Sequence, residues 1–416
     1  MTHQLLAWVI CAVAVACVII RPFRWPEAIW AVSGAVLIVV LGLLPFSEAL
    51  KAIGKGMDVY LFLVGMMLLS EVGRREGLFD WVAVLAVNHA KGSPRRLFLL
   101  VYVVGTVVTV FLSNDATAVV LTPAVFAVAK KAGARALPLL LVCALIANAA
   151  SFVLPISNPA NLVLYGNHMP ALGAWLTRFG VPSLLSIAAT YVVLRWTQRR
   201  ELEGACNADI AHEPLSPSGR LALAGIGMTA IALLVISALD QPLGLPTATL
   251  GILTMAVLQI RRRTTPWALL KAVSWGVLPL VAGLFVLVET LNHTGVIQQL
   301  ANLLRHGAGK AELATAAFAG FTIAFASNLM NNLPAGLVAS SAVNLAQSPQ
   351  RVVDALLIGV DIGPNLSITG SLATILWLTA IRREGEDVSF WTFFKVGVLV
   401  MPPALALAVG ARLLAG

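Results

Sequence analysis

Residues 113–115 read Ser-Asn-Asp and residues 157–161 read Ser-Asn-Pro-Ala-Asn; residues 327–332 read Ser-Asn-Leu-Met-Asn-Asn, followed by Gly-Pro-Asn at 363–365 and Thr-Gly-Ser at 369–371. Each of these polar, turn-forming stretches sits inside a sequence apolar enough to cross a bilayer. Polar backbone at membrane depth is tolerated only where protein buries it or where it lines a wet cavity. Two such interruptions in corresponding halves of one chain mark the binding site of a secondary transporter. The pattern excludes a receptor, a simple anchor and a soluble enzyme.

The rest of the chain fits that reading. Hydrophobic residues make up 59% and charged residues 11%, whereas an average soluble domain has roughly a quarter of its residues charged. The net charge of +9 falls in short basic clusters between apolar runs, which is topology information rather than a nucleic-acid surface. No GxxxxGK[ST] motif occurs, so no nucleotide cofactor is expected and the energy must come from an ion gradient or another subunit. Met1 to Ile20 lacks a basic leader and a small-residue cleavage site and reads as the first span.

Apolar stretches, weighed against the roughly 20 residues a span needs, fall near 5–20, 27–44, 57–73, 97–112, 116–129, 137–154, 160–166 (short) and 179–196. A second series falls near 220–239, 243–260, 276–292, 312–326, 332–347, 352–362, 367–381 and 390–414. Between them, Arg199 to Arg220 carries Glu201, Glu203, Asp209, Glu213, Pro214 and Pro217 and reads as a solvated linker. The halves repeat in order: GMMLLSE (65–71) resembles GLFVLVE (283–289), and Gly77 and Gly295 each follow the glutamate by six positions. Amphipathic stretches 78–90 and 296–306 come next and suit the membrane interface.

The expected fold is an all-α polytopic membrane protein of inverted-topology repeats, with about ten transmembrane helices, two re-entrant hairpins and two broken helices. The first repeat is 1–198, with a hairpin at 97–130 and a broken helix at 137–166. The cytoplasmic linker is 199–219. The second repeat is 220–416, with a hairpin at 312–347 and a broken helix at 352–381. With both termini outside, 21 of the 28 basic residues face the cytoplasm, a clear positive-inside bias; the outside keeps Lys51, Lys55, Arg178, Arg305, Lys310, Arg351 and Arg412. The hairpins and broken helices (97–166 and 312–381) are expected to move against a frame of 5–73, 179–260 and 390–414.

Most of the 19 acidic residues lie in loops or at helix ends. Asp115 and Asp361 instead sit beside breaks in apolar runs, with no Lys or Arg in their own segments. An ionised carboxylate there costs several kcal/mol, so proton coupling is the sharper reading; Asp115 can also cap the half-helix that starts at Ala116. Glu71 and Glu289, near span ends, suit helix-to-helix contacts. Asn114, Asn158, Asn161, Asn331, Asn332 and Asn365, with Ser371 and Thr374, supply neutral donors and acceptors for a small polar solute. The breaks hold no Arg fork for a di- or tricarboxylate.

At these residues a family resemblance is specific. SNDATAVVLTP (113–123), ISNPANLVLYG (156–166), SNLMNNLP (327–334) and DIGPNLSITGSLATILWL (361–378) closely resemble ArsB-type arsenite efflux permeases of the ion transporter superfamily, and the resemblance spans essentially the whole chain. It implies export of arsenite and antimonite in exchange for protons across the bacterial cytoplasmic membrane, with docking of an ArsA-type ATPase in some hosts. Related sodium-coupled carriers have Thr where Asp115 stands, which fits a proton replacing sodium. A sodium/proton antiporter, an anion carrier, or the membrane subunit of an ATPase-driven pump are the alternatives.

Trivalent arsenic prefers thiolates, yet Cys11, Cys17, Cys143 and Cys206 are scattered. Arsenous acid, with three hydroxyls, is instead expected to hydrogen-bond to asparagines and backbone.

Overall fold

The computed structural model describes residues 2–166, 169–207, 210 and 214–415; Asp209 and Glu213 of the linker lie outside them. The described residues form helices only. In the first half these are α1 Thr2–Ile20, α2 Glu27–Val40, α3 Phe46–Lys55, α4 Met57–Arg75, α5 Leu78–Ala90, α6 Pro94–Phe111, α7 Asn114–Ala116, α8 Thr122–Lys131, α9 Ala136–Ala149, α10 Pro159–Tyr165 and α11 Leu172–Thr197. The second half holds α12 Pro217–Ala238, α13 Gly244–Arg262, α14 Trp267–Ala272, α15 Val277–His293, α16 Val296–Met330, α17 Asn332–Ala346, α18 Gln350–Ile362, α19 Leu372–Arg383 and α20 Phe390–Leu414. Six helices (α1, α6, α11, α12, α16 and α20) are individually long and apolar enough to cross a membrane, and α3 with α4, bent by 49°, make a seventh span. Of the ten spans expected, α1, α4 (with α3), α11, α12 and α20 are among these, while α6 and α16 belong to the hairpins. Helices α2 and α15 are only 14 and 17 residues long, and α13 is not among the seven. The broken spans are pieces, α9 and α10 of 14 and 7 residues and α18 and α19 of 13 and 12.

Short helices α3 and α14 precede α4 and α15, a feature that span-counting passed over because neither is long or apolar enough to span. The amphipathic stretch 296–306 lies in a helix of its own: at Ala311, with φ −156° and ψ 87°, the chain leaves the helical region, so α16 is two helices joined at a kink.

Both hairpins begin and end on one side of the molecule. The Cys206 amide donates to the Gly92 carbonyl (3.0 Å) and the Asn207 amide to the Ala132 carbonyl (2.8 Å), which holds the start of α6 beside the end of α8. Arg305, in the arm that leads to the second hairpin, donates to the Leu345 carbonyl at the end of α17 (2.7 Å). The linker is therefore docked rather than solvated throughout, since Ile210 also exchanges two 3.0 Å hydrogen bonds with Asn88 of α5.

Two tightly tied groups of helices result. In one, α4 crosses α13 so closely that a Cβ on Gly65 would lie 2.1 Å from the Thr247 carbonyl oxygen. Small residues permit such approaches where no hydrophobic force brings helices together in lipid. In the other, α16 crosses α18 where a Cβ on Gly359 would lie 2.2 Å from the Gly320 carbonyl oxygen. Side chains join this second group to α11 and α20. Tyr102 donates to the Ile187 carbonyl (2.6 Å), Ser186 to Ala149 (3.0 Å), Trp175 to Phe152 (3.1 Å) and Arg412 to Asp354 (2.6 Å). Hence 179–196 and 390–414, expected in the frame, pack with the hairpins and broken helices. Sequence periodicity does not carry such tertiary pairing.

Gly65→Leu should break the α4–α13 crossing, because the clash is with backbone that cannot rotate away. Overpacking of this kind costs about 1–3 kcal/mol. The detergent-solubilised variant should unfold at a clearly lower temperature than wild type. Gly227→Leu, whose Cβ meets nothing within 4 Å, should not.

Candidate functional site

Four chain breaks meet at the middle of the molecule, and each is made by a local cap. Ser113 is extended, and its Oγ accepts from the Ala116 amide (3.2 Å) to start α7. Pro155 and Pro159 stop α9 from continuing, and the Asn158 Oδ1 accepts from the Ala160 amide (3.0 Å) to start α10. Asn331, at φ 73°, accepts from the Leu333 amide (3.4 Å); asparagine reaches positive φ more readily than most residues. Ser371 Oγ accepts from the Thr374 amide (3.1 Å) to start α19. Each hairpin is fastened to the neighbouring break: Ser157 Oγ donates to the Val110 carbonyl (3.0 Å), and Asn328 Nδ2 donates to the Gly363 carbonyl (3.0 Å).

Between the breaks lies a cavity of about 10 Å³ with Asn114, Asp115, Asn158 and Asn332 on its wall; Leu63 of α4 and Val277 of α15 close the opposite side. It adjoins a cleft of about 70 Å³ that shares Leu63, Asp115, Pro159 and Val277 and runs to Ser70, Glu71 and Ser274. That mouth lies beside Arg74 and Arg75, which pair with Glu71. On the opposite side a larger, polar cleft of about 650 Å³ reaches Leu61 and Leu162 from Asp58 and Asp240. Among the described residues, no Lys, Arg or His lines the cavity or the adjoining cleft.

The carboxylates differ in setting. Asp115 faces the cavity and the cleft; its amide donates to Asn114 Oδ1 (2.9 Å), and no ion pair reaches its side chain among the described residues. Asp361 is fully buried at the end of α18, where Asn158 Nδ2 donates to its Oδ1 (2.8 Å) and Oδ2 accepts no hydrogen bond. The Ser151 hydroxyl lies next to it but donates to the Asn148 carbonyl (2.7 Å). Asn158 is thus the shared residue: one edge borders the cavity with Asp115, and its amide holds Asp361. Burying a polar oxygen without a partner costs about 1–3 kcal/mol. Asn332 Oδ1, on the cavity wall, and Asp361 Oδ2 both carry that cost.

The remaining residues singled out from sequence are placed otherwise. Asn161 Nδ2 bonds to the Ser151, Leu154 and Pro155 carbonyls (2.9, 3.3 and 3.3 Å) and ties down the break. Asn331 faces a separate crevice with Val18 and Glu27. Asn365, Ser371 and Thr374 form a buried network behind the cavity through Asn148, whose Nδ2 donates to Asn365 Oδ1 (3.0 Å) and Thr374 Oγ1 (3.3 Å). Asn148 was not among the sequence candidates, because it stands alone in an uninterrupted apolar helix. Glu71 is taken up by Arg74 and Arg75 (2.7 and 2.8 Å), and Glu289 by Lys55 (2.7 Å). Glu48, Glu289 and His293 cluster at the far end of α15, but lysines occupy both carboxylates.

Over residues 15–363 the chain matches the sequence family described as citrate transporters (CitMHS). The chain belongs to that family. It is a membrane permease rather than an enzyme. It is also 25% identical over 424 residues to an arsenical pump membrane protein of Escherichia coli, covering 98% of each chain. Against an arsenical pump membrane protein of Yersinia enterocolitica it is 26% identical over 360 residues, 84% of each. The fold is similar to that of the YdaH transporter of Alcanivorax borkumensis, with a TM-score of 0.59 and 16% identity, covering 89% of this chain and 87% of that one. It is also similar to MtrF of Neisseria gonorrhoeae, at 0.53 and 12%, covering 91% and 84%. The transporter is thus a multi-pass membrane protein, similar in sequence to the arsenical pump membrane proteins.

None of the four cysteines lines the cavity or either cleft. Cys11 Sγ contacts the Leu287 carbonyl (3.6 Å), and Cys143 is buried in α9. Replacing all four with Ser or Ala should leave transport by the expressed protein largely intact. Transport lost through Cys143 alone would establish a contact of its sulfur with the solute.

Proposed function

We propose that this permease exports trivalent arsenite, and antimonite, from the bacterial cytoplasm in exchange for protons. The observation that carries the reading is an asparagine-walled cavity in which, among the described residues, Asp115 is the only ionisable group and has no ion-pair partner. Arsenous acid is small and uncharged and offers three hydroxyls. Asn114, Asn158 and Asn332 can donate to and accept from them, and a solute that leaves those groups unpaired is rejected. The names of the arsenical pump relatives point the same way. Asn161, Asn331, Asn365, Ser371 and Thr374 act here through the shape of the breaks, while Asp115 and Asp361 carry the coupling proton.

Citrate, the solute of the family description, is the second reading. It presents three carboxylates, and such anions are held by Arg or Lys. The cation-free wall disfavours it.

In this reading the two halves are inverted repeats and both termini face outside. The arginine-flanked mouth at Glu71 and Ser274 then opens to the cytoplasm, so the arrangement described is the inward-facing one. The group holding the hairpins, the broken helices, α11 and α20 slides as an elevator against α1–α4 and α12–α15. Protonation discharges Asp115 or Asp361 before the group crosses the apolar layer, because a bare charge there costs several kcal/mol. Purified protein transports without an ATPase, although an ArsA-type partner can add a second drive.

Proteoliposomes with an imposed pH gradient, free of sodium and ATP, test this directly. Wild type should move arsenite. Asp115→Asn and Asp361→Asn should fold yet lose pH-driven flux, since the amide keeps the size and loses the titration. Flux that needs sodium, or wild-type flux in both variants, would refute the proton reading.

A further inference from the structure

One buried ionic cluster takes no part in the proposed cycle. Arg412 Nε of α20 donates to Asp354 Oδ2 of α18 at 2.6 Å, with Arg412 5% and Asp354 0% exposed. The Tyr165 hydroxyl at the end of α10 donates to Asp354 Oδ1, and Gln350 Nε2 donates to the same oxygen (2.7 Å). Arg178 of α11 lies beside Tyr165, and the nearest further ion pair on α18 is Arg351 with Glu312 of α16 (3.8 Å). From the sequence Arg412 reads as an outside surface charge and Asp354 as one of the acids near a helix end. Both are instead interior.

The register gives the cluster its meaning. Asn158 and Tyr165 are seven residues apart at the two ends of α10, and Asp361 and Asp354 are seven apart on α18. Seven residues are two turns, about 10 Å of helix. Asn158 bonds to Asp361 at one end of this antiparallel pair and Tyr165 to Asp354 at the other. With seven residues, α10 is far too short to be stable alone, so its place is set by what clamps it. A buried carboxylate is a dependable anchor only while its counter-ion is present, and Arg412 supplies that.

We propose that Tyr165, Asp354 and Arg412 are a positioning clamp that keeps α10 in register with α18, so that Asn158 stays on Asp361. This rests on the reading of Asp361 as a coupling carboxylate. The clamp touches neither solute nor proton. It sets the hydrogen bond that tunes the residue which does.

Infrared titration of the protonated carboxyl band of Asp361, assigned by its loss in Asp361→Asn, tests the clamp without requiring that arsenite be the solute. Tyr165→Phe removes only the α10 arm and leaves the ion pair. It should move the band's pH midpoint by about one unit, the scale of one lost hydrogen bond to a charged group. Asp354→Asn combined with Arg412→Gln, which removes both charges together, should move it as well. Midpoints equal to wild type in both folded variants would reduce the cluster to a structural staple and overturn the proposal. The absence of any Asp361 band titrating in wild type would overturn it too, through failure of the proton reading, and that failure is seen without any clamp variant.

Discussion

Hydrocarbon offers no water to a broken helix, so every backbone group freed at a chain break must find a partner within the protein. The architecture of this permease follows from that demand. Four breaks meet in its middle, and each spends a side chain on a cap: Ser113, Asn158, Asn331 and Ser371. Asn161 and Asn328 spend theirs on loop carbonyls. What is left over is the chemical capacity of the site. It comprises the Asn332 oxygen, the Asp115 carboxylate, one oxygen of Asp361, and Asn158, which caps with its oxygen and donates with its nitrogen. A site built from such remainders is small and rich in amide groups and, among the described residues, holds no cation, which suits an uncharged polyhydroxyl solute better than an organic anion.

The same bookkeeping explains what could be read in advance. Helix limits and breaks were legible because Pro, Gly, Ser and Asn interrupt apolar runs that otherwise continue; α9 stops before Pro155, and α10 starts at Pro159. Asp115 and Asp361 stood out as acids without a cation in their own segments. Asn148 did not, since one amide in an apolar helix carries no local signal, and only the fold brings it against Asn365 and Thr374. The Asp354–Arg412 pair was hidden for a related reason: 58 residues separate them, and each alone reads as a helix-end charge. The side on which α11 and α20 pack was equally invisible, because it depends on hydrogen bonds such as Tyr102 to Ile187 rather than on periodicity.

Packing divides labour between the two helix groups. Backbone contact at Gly65 and Thr247 makes one group stiff, and contact at Gly359 and Gly320 does so for the other. The cavity lies between them, walled by Leu63 and Val277 on one side and by the break residues on the other. In the proposed cycle a solute held there touches both groups, and sliding one past the other would change which cleft it meets. Leu61 and Leu162 line the cleft on the far side.

The most direct measurement is the accessibility of one engineered thiol in a cysteine-free background. Ala116 is buried against the break and lines the 70 Å³ cleft. In Ala116→Cys, a membrane-impermeant thiol reagent applied from the cytoplasmic side should label the protein in one state. Labelling should fall when arsenite and a pH gradient drive the site to the other side. Equal labelling in both conditions would contradict alternating access by the unit described.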